Sequence, residues 1–158
     1  MLGTCPDIAY VVIALSKHAT KPLKEHLDCA FYICHYLLRT CYYSLGFDGS
    51  TKAGLIAYTD SDWASDSNTQ CSQTSWFIKL AGCIFNWQSC QQSHIGYSST
   101  EAEYIVLSDY SMQIVWICTI LKALGYDLQP IPICEDNQGS IFITNNLVTE
   151  SHSKHINL

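Results

Sequence analysis

TEAEYIVLSDYSMQIVWICTILKALG, Thr100 to Gly125, is the stretch on which the fold of this chain turns. Ile105, Met112, Trp116, Ile120 and Leu124 recur at helical spacing, which predicts a long helix from about Thr100 to Leu124 with those side chains on its core face. Gly125 ends it. Upstream the period shortens, and residues 55–59, 75–80 and 83–87 predict three short antiparallel strands, with Ala81-Gly82 as the hairpin turn between the last two. Downstream, 130–134 predicts a strand and 139–145 a short helix. A long helix set between strands predicts an α/β fold, in which the helix is a crossover that returns the last strand parallel to the first.

The segment before the first strand reads as helical. Pro6 suits a first helical position, and Ile8, Val11, Val12 and Leu15 form an apolar stripe. After Pro22 a second helix presents Leu27, Ala30, Phe31, Cys34 and Leu38 on one face and stops near Gly46. The turn-rich stretch 47–54 divides the chain into a helical appendage, 1–48, and an α/β domain, 53–158.

Composition bounds the function. The chain has 158 residues, nearly half of them hydrophobic and 14% charged, enough for one packed domain and too apolar for wholesale disorder. A formal net charge of −6 argues against a general nucleic-acid binder, which carries a basic face, though bound metal ions would supply positive charge locally. Nine cysteines are scattered without a C-x-x-C pair, the pattern of reduced thiols in an intracellular protein. Asp7 interrupts the start as a signal peptide, and no uncharged apolar stretch reaches the roughly 20 residues of a membrane span. The expectation is a soluble intracellular protein, cytoplasmic or nuclear, with no membrane partner.

Three acidic clusters lie where elements start or stop: YTDSDWA (58–64), SSTEAEY (98–104) and CEDNQGSI (134–141). Parallel strands joined by a right-handed crossover share one edge at their C-terminal ends, where open α/β sheets place ligands. Asp60 and Asp136 would meet there, with a Glu from the first turn of the helix. Carboxylates so gathered repel unless cations lie between them, and hard oxygen ligands select Mg²⁺ or Mn²⁺ over zinc. Each acid also has a plainer role. Asp60 and Asp62 fit a turn after a strand, and Asp136-Asn137 fits a helix N-cap. Thr100-x-x-Glu103 and Ser98-x-x-Glu101 both fit a capping box; the second leaves Glu103 free for metal, the first leaves Glu101. Trp63, Trp76, Trp87 and Trp116 read as packing residues rather than base-stacking platforms, and His152 and His155 as surface histidines.

PDIAY (6–10), YTDSDWA, NWQS (86–89), SSTEAEYIVLS (98–108), EDNQGSI (135–141) and SKHINL (153–158) together resemble the C-terminal part of the polyprotein of copia-type LTR retrotransposons. They match the end of its reverse transcriptase region and its ribonuclease H, in the family's order and at about its spacing. The resemblance implies a ribonuclease H-like mixed sheet and two-metal cleavage of RNA in RNA–DNA hybrids, with Mg²⁺ or Mn²⁺ as cofactor. One ion would activate the attacking water and the other would stabilise the leaving 3′ oxygen. Residue by residue it makes Asp60, Glu103 and Asp136 the catalytic, metal-binding carboxylates; Glu103 is preferred because AEYIVL resembles the run around the catalytic Glu of related ribonucleases H. The implied partners are the hybrid and the remainder of a reverse transcriptase or Pol chain.

Several positions depart from the family pattern. Its fourth Asp lies beyond the KHI segment, after a further strand, so a chain ending at Leu158 is expected to lack that Asp, the final strand and the last helix, with impaired activity. Asn157 replaces the Asp of the family's KHID, Cys5 the Arg of its TRPDI, and Gln70-Cys71 and Cys90-Gln91 stand where relatives carry basic residues. Fewer basic contacts imply weaker hybrid binding. The polymerase carboxylates are absent, so polymerase activity is not expected. The alternative expectation is a catalytically inactive, decayed or co-opted fragment that acts as an interaction module or has no function.

Overall fold

A computed structural model of the protein describes residues 4–47, 54–66, 69–126 and 130–146. The expected boundary therefore falls largely outside the described residues, as do His152, His155, Asn157 and the 153–158 motif.

The chain enters through a 3-10 turn, Pro6–Ile8, that leads into α1 (Ala9–Ser16), followed by α2 (Lys24–Arg39). Ile8 and Ala9 are buried, and the Lys17 ammonium reaches Asp66 at 3.3 Å, tying the end of α1 to the loop after the first strand. The α2 face expected from sequence is not a core face. Leu27, Phe31 and Leu38 are exposed, and the helix buries no residue fully. Cys29, Tyr32, Ile33 and Tyr36 flank a shallow hollow with Asp7, Ile8 and Val11, and of those four helix residues only Ile33 is half-buried. The helix rests only lightly on α1 and on the Pro6–Ile8 turn, where the Tyr36 hydroxyl donates to Asp7 at 2.6 Å.

Four strands, β1 (Ile56–Asp62), β2 (Gln73–Leu80), β3 (Cys83–Gln91) and β4 (Ile133–Cys134), form one mixed sheet in the order β3-β2-β1-β4. β1, β2 and β3 are antiparallel neighbours, and β4 lies parallel to β1. The β2–β3 hairpin turns on Ala81 and Gly82, both at positive φ (50° and 79°), the pairing whose twist suits a two-residue turn. β1 continues past the expected strand end at Thr59, so Asp60 lies within the strand, opposite Ser75. β4 is shorter than expected because Pro130 and Pro132 have no N–H to give a ladder; Pro132 contributes only its carbonyl, to the Ala57 amide.

α3 (Ser99–Ala123) crosses the sheet and joins β3 to β4, and α4 (Gln138–Asn145) follows. α3 starts on Ser98, whose hydroxyl accepts the Glu101 amide at 3.2 Å, while Glu101 accepts the Tyr97 amide at 2.8 Å. It ends as a Schellman motif: Gly125, at φ +86°, donates to Lys122 and Tyr126 donates to Leu121. The expected core face is wrong by half a turn. Met112 (73% exposed), Trp116 (58%), Ile120 and Leu124 look outward, and the buried stripe is Ala102, Glu103, Val106, Tyr110, Ile114 and Ile117. The helix is apolar almost all round and, by length and composition alone, could cross a membrane, so apolar spacing could not choose its face. Contacts with the sheet choose it: Tyr110, Ile114 and Ile117 join Leu55, Ala57, Trp76 and Ile78 in the core. The Tyr110 hydroxyl donates to the Phe77 carbonyl at 3.2 Å.

Of the four tryptophans only Trp76 is core; Trp63 and Trp116 are exposed, and Trp63 anchors itself by donating to the Gly96 carbonyl. All nine cysteines are unbridged, and only Cys83 is buried.

Candidate metal centre

Asp60 projects from the outer side of β1. Its neighbours Thr59 and Ser61 point inward, following strand alternation, and both are buried. Glu103 stands in the second turn of α3, on the buried stripe. Asp136 lies in the turn between β4 and α4, at the parallel edge of β1. The structure brings all three expected site residues together: one carboxylate oxygen from each lies within 4.8 Å of the others. Glu101 instead secures the helix start, which leaves Glu103 as the inward carboxylate. Asn137, not Asp136, is the α4 cap, accepting the Gly139 and Ser140 amides. A Cβ on Gly139 would stand 2.8 Å from Thr100 Oγ1; glycine is what lets α4 close on the start of α3.

Burial and like charge weigh on the cluster. Glu103 is 5% exposed; one oxygen accepts the Ser61 amide at 3.1 Å and the other, Oε2, is buried with no protein partner. Burial pushes the Glu103 carboxyl up to about 8, aided by the charges of Glu135, Asp60 and Asp136 and opposed by the Ser61 amide. Asp60 is raised as well, by burial first and then by Asp62 and Asp136. Two like charges no more than 4.8 Å apart repel by at least roughly 3 kcal/mol at an effective dielectric of about 20. Among the described residues no Lys, Arg or His pairs with the three carboxylates. Exposed oxygens on Asp60 and Asp136, a buried orphan on Glu103 and an all-oxygen donor set fit a hard divalent ion.

Three polar residues that sequence reasoning missed support the cluster. Gln92 is buried and donates to Ala102 O at 3.0 Å, to Thr74 Oγ1 at 3.2 Å and to Ser61 Oγ at 3.4 Å, so it ties the start of α3 to β1 and β2. Thr59 donates to Glu135 at 2.8 Å. A Gln after a strand, or a Thr or Glu beside an Asp, carries no signal until the topology is known. Beside the acids, Tyr58 and Phe77 stack at 4.7 Å on the floor of an open hollow shared by Asp60, Ser75, Cys134 and Asp136.

Comparison with known proteins supplies the family. The chain is 36% identical over 155 residues to the retrovirus-related Pol polyprotein from transposon RE1 of Arabidopsis thaliana, which covers 97% of this chain and 10% of that protein. It is 33% identical over 158 residues to the corresponding polyprotein from transposon TNT 1-94 of Nicotiana tabacum, which covers all of this chain and 12% of that protein. The secreted RxLR effector protein 161 of Plasmopara viticola is 36% identical over 117 residues, 74% of this chain and 82% of the effector. No family model and no solved structure matches. The first two of these relatives are transposon-encoded polyproteins. The chain belongs to the retrovirus-related Pol polyproteins of copia-type retrotransposons. It spans about a tenth of the length of those Pol relatives.

Proposed function

We propose that the described α/β unit is a ribonuclease H-like domain whose Asp60, Glu103 and Asp136 bind Mg²⁺ or Mn²⁺ and hydrolyse RNA within RNA–DNA hybrids. The strand order β3-β2-β1-β4 with an α3 crossover is compatible with that fold. The observation that carries the proposal is the meeting of three carboxylate oxygens within 4.8 Å, drawn from segments far apart in sequence. Divalent ions, when bound, supply the Lewis acidity and charge neutralisation of in-line phosphodiester hydrolysis. The chain's own residues do the rest. Glu103 gives up its proton as metal is taken, Ser61 N–H holds one Glu103 oxygen in place, and Gln92 fixes the depth of α3. We further take residues 1–48 as a remnant of the preceding reverse transcriptase region, set against the domain, and the rest of a Pol chain as the natural partner.

The test is cleavage of a labelled RNA–DNA hybrid with Mg²⁺ or Mn²⁺. Metal-dependent product that disappears in Asp60→Asn is expected. Product that persists in Asp60→Asn, or none from the wild type, rejects the enzyme.

A second proposal has a specific observation behind it. One relative that the chain largely covers is named a secreted effector rather than a polyprotein, and the net charge of −6 opposes hybrid binding. In that reading the fold serves as an interaction module and the carboxylates are passengers. Millimolar Mg²⁺ would then leave the melting temperature unmoved.

A further inference from the structure

We infer that Thr59 and Glu135 form a positioning pair that holds Asp136 beside Asp60; its consequence for metal rests on the metal-binding proposal above. β4 pairs with β1 for two residues only, Ala57 with Ile133 and Tyr58 with Cys134. So short a strand, preceded by Pro130 and Pro132, specifies its register weakly. The next rung of the same ladder would set Thr59 opposite Glu135, and there the side chains make it: Thr59 Oγ1 donates to Glu135 Oε2 at 2.8 Å.

The other Glu135 oxygen, Oε1, accepts the Asn137 amide at 3.1 Å, and Asn137 caps α4 through the Gly139 and Ser140 amides. Asp136 is therefore strung between two anchored neighbours. Thr59 is 7% exposed, so its bond to a charged acceptor is shielded from water and correspondingly strong. Both Glu135 oxygens accept protein hydrogens, and Glu135 is not among the three residues whose oxygens converge. Glu135 orients a ligand instead of being one, as hydrogen-bond partners of metal-binding carboxylates do.

Mn²⁺ affinity, read by paramagnetic resonance on the full chain, tests the pair. Thr59→Val and Glu135→Ala should each weaken binding by about tenfold or more, and the double variant should be little weaker than either single one. Glu135→Gln, whose one oxygen can accept the Asn137 amide while its NH2 donates to the Thr59 hydroxyl, should recover most of what Glu135→Ala loses. If Glu135 were itself a ligand, Glu135→Gln would fall as far as Glu135→Ala while Thr59→Val stayed unchanged; that result overturns the inference. Absence of Mn²⁺ binding in the wild type sinks the metal proposal instead, and the pair is then judged by hydrogen exchange at the Asn137 amide. Faster exchange in Thr59→Val sustains it, and unchanged exchange overturns it.

Discussion

Glu103 holds its proton to about 8 in the fold, against an ordinary value near 4.5. Between those values the folded chain binds more protons than the unfolded one, so metal-free stability falls as pH rises. Thermal melts in chelator should show a lower melting temperature at pH 8 than at pH 5, with the slope flattened in Glu103→Gln. Asp60 is shifted in the same direction, so its contribution has the same sign. Because a metal ion and a proton compete for the same carboxylate, Mn²⁺ affinity should climb across this window. A pH-independent affinity would show that the ion displaces no proton from Glu103.

The helix α3 shows at the scale of an element what sequence could and could not tell. Ile114→Ala or Ile117→Ala should cost about 2–5 kcal/mol in denaturant unfolding, the range for emptied core positions. Met112→Ala, on the opposite face, should stay within about 0.5 kcal/mol. Equal losses on both faces would contradict the observed orientation. Ser98→Ala should cost about 1 kcal/mol by removing the N-cap acceptor. The cap, the Gly125 stop, the hairpin turn and the element order were legible, because each rests on local backbone chemistry. The buried face was not legible from hydrophobic spacing, since Met112, Trp116 and Ile120 are as apolar as Val106, Ile114 and Ile117. Yet Glu103 encoded the answer. At about 100° per residue, position 112 lies about 180° from 103, whereas 110 and 114 lie within about 20° of it. A helix that turns Glu103 to the sheet edge cannot also turn Met112 there. α2 misled because little packs against it: the helix has an apolar face but buries no residue. The meeting of Asp60, Glu103 and Asp136 could be anticipated because topology fixes strand ends. Thr59, Gln92 and Glu135 could not, because hydrogen-bond partners depend on register.

Over the whole molecule, an acidic chain concentrates carboxylates of β1, α3 and the β4–α4 turn at one rim of a mixed sheet, and a divalent ion there would relieve their repulsion. Ligand linkage gives the size of the effect: a metal concentration 100 times the dissociation constant stabilises the fold by about 2.7 kcal/mol. The most direct measurement is calorimetric titration of the full chain with Mn²⁺, repeated on Asp60→Asn, Glu103→Gln and Asp136→Asn. Saturable binding in the wild type, weakened by each of the three substitutions, is the predicted result. Binding that survives all three, or heat of binding indistinguishable from dilution in the wild type, would contradict a shared metal centre.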